Sequence, residues 1–346
     1  MSTKPFERSS RRTKTSSMAL AAAAAPALAP ITDLISISDL GPQGVRALLD
    51  LAGAVKERPA EFAKALAGKQ IVLIFEKPSL RTRVTFEAGM AALGGTSFFI
   101  DQRDVRLGVR EPLRDVARNL ERWVHGIVLR TFAHQTISEI ARWAGIPVIN
   151  GLSDLEHPCQ ALADYLTLEE RFSDVRKVKL AYVGDGNNMA NSLLLAAACL
   201  GGDIRVATPA GYEPSQTIVA AAQQIAAQTG ARIVLTKDAA DAVAGADAVY
   251  TDAWASMGQE DEAVARRKIF APYQVNGKLM SLAAPHAVFM HCMPAHRGEE
   301  VTEAVFESPQ SLVFDQAENR LHAQKAILLT LLGGGPFRLP TRSAHA

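Results

Sequence analysis

Phe75-Glu-Lys-Pro-Ser79-Leu-Arg81-Thr-Arg83-Val-Thr-Phe-Glu-Ala-Gly-Met90 decides how this chain folds. Ahead of it, Gln70-Ile-Val-Leu-Ile-Phe75 is a continuous apolar run with the length and β-branching of a buried parallel strand. Behind it, Phe86, Met90 and Leu93 recur at helical spacing. Pro78 closes the strand and Ser79 is a natural N-cap, so the unpaired N–H groups of the first helical turn lie beside Arg81, Thr82 and Arg83. Such a strand-to-helix turn is an anion site, most simply for phosphate. The plainer alternative is a solvated helix start with two surface arginines.

Outward from this stretch the same alternation repeats. An amphipathic helix with Val45, Leu48, Leu49, Ala52 and Val55 on one face precedes it. Short apolar runs follow at 97–100, 126–129 and 148–149, separated by helical segments such as 113–123 and 137–144. After the polar segment 169–177 a second series begins, with strands at 179–183, 204–207, 232–235, 248–251 and 287–290 and helices at 189–200, 215–228 and 239–244. The pattern predicts an α/β protein of two doubly wound parallel-sheet domains, with the active-site cleft between them beyond the carboxyl ends of the strands. The boundaries expected are a tail at 1–30, a first domain at 31–170, a second at 171–316, a helix at 317–333 crossing back onto the first, and a flexible tail at 334–346.

Composition narrows the function. A chain of 346 residues suits two domains, and 48% hydrophobic residues is ordinary for a soluble protein. The net charge of +1 argues against nucleic acid or a membrane surface as the main partner, so any positive site is local. The cysteines, Cys159, Cys199 and Cys292, are odd in number and lack C-x-x-C spacing, which indicates neither a disulfide framework nor a zinc site and fits a reducing compartment such as the cytoplasm. The run 192–200 is far shorter than the ~20 residues of a bilayer span. Near the start, Lys4, Arg8, Arg11, Arg12 and Lys14 stand among Ser and Thr with one acid, Glu7. That composition suits a mitochondrial or plastid transit peptide, but a disordered tail, or an upstream start codon with Met18 as the working one, fits it better.

Further polar groups gather at strand ends. Arg130 follows one apolar run, where a ligand contact and a surface ion pair are both open readings. In Asp154-Leu-Glu-His157-Pro158-Cys159-Gln160, an imidazole and an amide stand at a helix start opened by proline. Gly184-Asp-Gly186-Asn-Asn188-Met189 resembles a dinucleotide turn, but Met189 replaces the third glycine and no acid ends the next strand, so adjacent amides for an amino acid or a sugar fit better. Asp252-Ala-Trp-Ala-Ser256-Met257-Gly258 offers a carboxylate for an ammonium. His291-Cys292-Met293-Pro294 puts a thiol at a strand end as nucleophile, acid–base or orienting group, with zinc disfavoured because His291 and Cys292 are adjacent. Arg320 lies in the first turns of the last helix, an odd place for a cation unless a ligand there is negative.

These motifs, in this order, resemble the aspartate/ornithine carbamoyltransferase family from about Leu34 to Leu332. The resemblance implies that Ser79, Leu80, Arg81 and Thr82, with Arg130, His157, Pro158, Cys159, Gln160 and Arg320, hold carbamoyl phosphate. It also implies that Asn188, Asp252, Ser256, Met257, Cys292 and Met293 hold L-ornithine, with Cys292, Asp252, Arg130 and His157 catalytic, no metal or organic cofactor, and a homotrimer with sites at subunit interfaces. Three positions depart from the family pattern. Leu80 replaces the threonine of S-T-R-T-R and resembles relatives acting on N-acylated ornithine, although those lack the D-x-W-x-S-M-G loop. Arg106 stands where many members have a glutamine reaching a neighbour's site, and as a cation it is expected to bind carbamoyl phosphate there; Met293 replaces leucine in a near-isosteric swap. Carbamoylation of N-acylornithine, putrescine or aspartate is the alternative within this chemistry. A nucleotide-dependent oxidoreductase would need the glycine and acid missing near Gly184.

Overall fold

The structure is a computed structural model and describes residues 31–255 and 262–333. The two expected tails, together with Ser256 and Met257, lie outside the described residues. Among the described residues the apolar runs form nine strands, β1 (Gln70–Phe75), β2 (Thr96–Asp101), β3 (Gly126–Arg130), β4 (Val148–Leu152), β5 (Lys179–Val183), β6 (Asp203–Ala207), β7 (Arg232–Thr236), β8 (Ala248–Thr251) and β9 (Val288–His291). They make two sheets, ordered β2-β1-β3-β4 and β7-β6-β5-β8-β9, and every pairing is parallel. The continuous apolar runs are the inner strands, covered on both faces, while the edge strands β2 and β7 carry exposed residues.

Helices connect and cover these strands. In the first half they are α1 (Gly41–Glu57), α2 (Leu80–Ala92), α3 (Gln102–Val105), α4 (Leu113–Leu120), α5 (His134–Trp143) and α6 (Pro158–Phe172). The second half contributes α7 (Asn188–Leu200), α8 (Gln216–Thr229), α9 (Ala239–Val243), α10 (Ala263–Phe270), α11 (Gly277–Met280), α12 (Glu303–Phe306) and α13 (Val313–Leu332). Helix α7 is apolar all round and buried from Met189 to Leu200, because it packs on α8 and also on α1 and α6 of the other half. Helix α13 leaves the second sheet and packs on α1, α2 and α6. It starts four residues earlier than the sequence pattern suggested, at Val313, which leaves Arg320 two turns inside the helix rather than in its first turn.

Both sheets change winding direction where the site lies. In the first, β2 and β3 flank β1 on opposite sides, and in the second β6 and β8 flank β5. Ligands of open α/β sheets bind outside the carboxyl ends of the strands at such switch points. Register places Phe75 beside Arg130 and Thr251 beside His291, so the segments after β1, β3, β8 and β9 emerge together. A bulge in β4 helps: Leu129 pairs with Asn150 but Arg130 pairs with Leu152, leaving Gly151 unmatched. A Cβ on Gly151 would lie 3.1 Å from the Leu129 carbonyl and 3.4 Å from Thr82 Cγ2, so glycine permits the close approach of β4 to α2.

Candidate active site

A cavity of about 350 Å³ opens between the two sheets. On its first side Ser79 caps α2, its hydroxyl accepting the Thr82 N–H at 3.2 Å. Arg81 and Thr82 face the cavity from the first turn, and Leu80, 75% exposed, stands at its mouth. Arg83 turns away to pair with Glu87 at 3.1 Å and to stack over Phe99. Arg130 enters from β3, and Arg320 from α13.

Three arginines thus converge, and no carboxylate among the described residues is paired with any of them. Arg320 donates to Gln160 Oε1 at 2.6 Å and to Thr82 Oγ1 at 2.9 Å, both neutral acceptors. Its Nε, the Nε of Arg130 and Nδ1 of His157 are buried without a hydrogen-bond partner. Burial, then the charges of Arg320 and Arg81, hold the Arg130 guanidinium down to about 9. Burial and the same three cations push His157 well below its ordinary value, so it is a neutral imidazole. An anion with several acceptor oxygens satisfies all of these groups at once.

The opposite side is built from β8, β9 and the start of α7. Asn187 caps α7, its Oδ1 accepting the N–H groups of Met189 and Ala190. That fixes the amide, and its Nδ2 donates to Asp252 Oδ2 at 2.8 Å. Asp252 Oδ1 accepts the Ala253 N–H at 2.8 Å and the Cys292 thiol at 2.9 Å. Burial, then the Asp252 charge, raises the Cys292 thiol well above its ordinary value, so it is a protonated donor rather than a free thiolate. This disfavours the nucleophile among the three roles open to it. Met293 follows at φ 56°, its N–H donating to His291 Nδ1 at 2.8 Å.

Most of the residues singled out from sequence line this cavity, and three do not. Pro158 and Cys159 are fully buried in α6 away from it, and the Cys159 thiol lies 3.4 Å from the Asn150 carbonyl oxygen it faces as donor. Arg106 is exposed and outside the cavity of its own chain. Asn188 lines the cavity, but its Nδ2 donates to the Ser153 carbonyl at 2.6 Å across the two halves, leaving the side-chain oxygen for a ligand. Lys77 and His296, to which the sequence reading gave no role, also line the wall, and Asn187, one of the two adjacent amides it singled out, acts as the cap of α7 and the partner of Asp252. It also missed the buried acceptor Asp164, which takes Gln160 and Gln316 on Oδ1 at 2.8 and 2.9 Å and Tyr250 on Oδ2 at 3.0 Å. Gln316 in turn accepts the His291 N–H, tying α6, α13 and β9 together behind the arginines.

Among the described residues, two groups of side chains bring possible metal ligands together. Asp252, His291 and Cys292 offer ligand atoms within 4.8 Å of one another. Both His291 nitrogens are already engaged, Nδ1 by Met293 and Nε2 by Glu300 at 3.2 Å. In the second group, His296, Glu299 and Glu300, Glu299 is paired with Arg267 at 2.7 Å. Neither set is free to close around an ion as it stands.

Next to His157 a buried acid joins the halves. Glu156 Oε2 accepts the Ile37 N–H at 3.1 Å and the Ser192 hydroxyl at 3.3 Å, and Ser192 Oγ accepts the His157 N–H at 2.8 Å. Burial raises the Glu156 carboxyl from 4.5 to about 7, with Asp39 adding to the rise. The native state therefore binds this proton more tightly than the unfolded chain, and stability falls as pH rises from about 4.5 to about 7. Glu156→Gln is expected to remove that slope, adding about 3 kcal/mol at pH 8 and little at pH 4.5. Urea unfolding at both pH values checks this, and equal effects at the two would refute it.

Comparison with known proteins agrees with this geometry. Residues 32–170 match the family model for the carbamoyl-P binding domain of aspartate/ornithine carbamoyltransferase, and residues 176–331 match its Asp/Orn binding domain. The chain is 50% identical over 304 residues to an ornithine carbamoyltransferase of Pyrococcus abyssi, covering 87% of this chain and 96% of that one. It is 52% identical over 297 residues to one of Shewanella oneidensis, covering 86% and 98%. The solved structure of ornithine carbamoyltransferase from Pyrococcus furiosus superposes with a TM-score of 0.85 at 49% identity, covering 88% of this chain and 98% of that one. An anabolic ornithine carbamoyltransferase of Campylobacter jejuni superposes at 0.83 with 38% identity, covering 87% and 98%.

Proposed function

Because the chain belongs to the aspartate/ornithine carbamoyltransferase family, we propose that it transfers the carbamoyl group of carbamoyl phosphate to the δ-amine of L-ornithine, giving L-citrulline and phosphate. The observation that carries this reading is the cavity itself, with three carboxylate-free arginines on one side and the Asp252–Cys292 pair on the other. The first side suits a phosphate leaving group and the second an amino acid.

The capped N-terminus of α2 with Arg81, Arg130 and Arg320 takes the phosphate. Attack on the carbamoyl carbon puts negative charge on its oxygen, which Thr82, Arg130 and neutral His157 are placed to stabilise. A neutral imidazole donates there without adding a fourth positive charge. The δ-amine has a lysine-like pKa of about 10.4 and loses a proton before it attacks. Asp252 and Cys292 orient the amino acid and that amine, and the departing phosphate is a nearby acceptor for the proton released on transfer. The C–N bond forms as the C–O bond to phosphate breaks.

Leu80 lines the cavity and is 75% exposed, and the Asp252 carboxylate in the same lining suits an ammonium, which favours free ornithine over an N-acylated form. Citrulline-type product formation with carbamoyl phosphate and each of L-ornithine, N-acetylornithine, putrescine and aspartate tests the proposal. Ornithine is expected to exceed the others in kcat/KM by at least about a hundredfold. A better rate with N-acetylornithine would overturn the choice of amine.

The same proposal places the enzyme in arginine biosynthesis, in the cytoplasm, or in an organelle matrix if residues 1–30 direct import. It also takes the active species to be a homotrimer in which Arg106 serves a neighbour's site. Exposed Leu80 and Val84 on α2 and Phe98 on β2 support that assembly, and sedimentation mass checks it.

A further inference from the structure

Arg266 lies on α10, behind the Asp252 wall, outside the cavity lining and only 4% exposed. A buried guanidinium requires acceptors, and beyond Glu262 one turn before it, which Nη1 reaches at 3.4 Å, this one finds them on two separate segments. Nε donates to the Trp254 carbonyl oxygen at 2.5 Å, and Nη2 donates to Asp185 Oδ2. Its plane lies over Tyr212 and Phe270, 4.8 and 5.3 Å from the ring centroids, and Trp254 stacks on Phe270 at 5.9 Å. Trp254 follows Asp252 by two residues, and Asp185 precedes Asn187 by two.

The segment holding Asp185 is closely packed. Gly186 N–H donates to the Tyr212 carbonyl at 2.9 Å, and a Cβ at Gly186 would collide with the backbone from Tyr212 to Pro214. Asn187 then reaches Asp252 from this turn. One guanidinium therefore ties the ends of β5 and β8 together from behind, while the Asn187–Asp252 hydrogen bond ties them from the cavity side.

We infer that Arg266 is a positioning residue for the amino-acid substrate, clamping the Asp185 turn to the Trp254 segment so that Asp252, and through it the Cys292 thiol, is held in place. This rests on the reading that the Asp252 side of the cavity receives the amino acid. Arg266 touches no substrate. Lysine keeps the charge beside Asp185 but cannot serve two acceptors and two rings with a single ammonium.

The test uses Arg266→Lys, which retains a cation for the buried Asp185, and the paired Arg266→Gln/Asp185→Asn, which removes both charges together. Three quantities are measured on folded protein: KM for ornithine, carbamoyl phosphate affinity by calorimetry, and the rate of Cys292 alkylation by iodoacetamide followed by mass spectrometry. KM for ornithine is expected to rise about tenfold or more, with carbamoyl phosphate affinity held within about twofold. Cys292 alkylation is expected to quicken about fivefold, since a displaced Asp252 no longer holds the thiol protonated. Alkylation needs no substrate. A wild type that makes no citrulline would refute the functional reading, while the alkylation rates would still report on the clamp. Unchanged alkylation and KM in variants that merely melt lower would overturn the inference and leave Arg266 a packing residue.

Discussion

Arg130→Met is expected to make the ligand-free protein more stable while lowering kcat/KM for carbamoyl phosphate about a thousandfold. No acceptor among the described residues bonds the Arg130 side chain, its Nε is buried and unpartnered, and the charges of Arg81 and Arg320 oppose its own. With the guanidinium held down to about 9 but still charged at pH 7, the charged form is disfavoured in the empty site. Replacing such a group by an apolar one of similar length stabilises by about 1–4 kcal/mol. In the proposed reaction the same group donates to the phosphate and to the developing oxyanion, so activity is expected to fall as stability is gained. Thermal unfolding in phosphate-free buffer and again with added inorganic phosphate checks this. The wild type should gain melting temperature with phosphate and the variant should gain far less. A variant less stable than wild type without ligand would mean that Arg130 has a structural partner and that the arginines do not await an anion.

That site was legible in sequence to the extent that its chemistry is local. Ser79 as a cap, Pro78 as a strand end and two arginines in the first helical turn are short-range signals, and α2 begins at Leu80 with the Ser79 hydroxyl on Thr82 as they require. Strands β1, β5 and β8 span the residues that the apolar runs marked, because inner parallel strands are apolar on both faces. The family resemblance implies Pro158 and Cys159 in the site along with His157 and Gln160, but helical geometry sends those two side chains into the core. Arg266 and α10 were missed for the opposite reason. Four polar or charged residues, Glu260 to Glu262 and Arg266, surround a short apolar stretch with no helical stripe, and the acceptors that bury Arg266 are 12 and 81 residues away. Buried charge is decided by partners distant in sequence, and composition around the residue carries no trace of them.

Asp252→Asn should separate the two halves of the cavity. Its carboxylate accepts three hydrogen bonds, from Cys292 and Ala253 on Oδ1 and from Asn187 on Oδ2. An asparagine can keep its oxygen toward Cys292 and Ala253 only by turning its NH2 onto the Asn187 NH2. Asn187 cannot answer by flipping, because its own oxygen accepts from Met189, Ala190 and the Tyr182 hydroxyl. The reverse orientation sets an NH2 against the Ala253 N–H. Either way two donors face each other, and the negative charge that would meet an ammonium is gone. We expect kcat/KM for ornithine to fall about a thousandfold, and the preference over N-acetylornithine to narrow, since an acylated nitrogen no longer leaves a carboxylate unpaired. The Cys292 thiol, now held up by burial without the neighbouring charge, should alkylate faster at pH 8. Carbamoyl phosphate affinity should stay within about twofold of wild type, because Arg81, Arg130 and Arg320 are untouched. Calorimetry and the citrulline assay together decide it: equal losses for both substrates would mean that Asp252 supports the whole cleft rather than its amino-acid side.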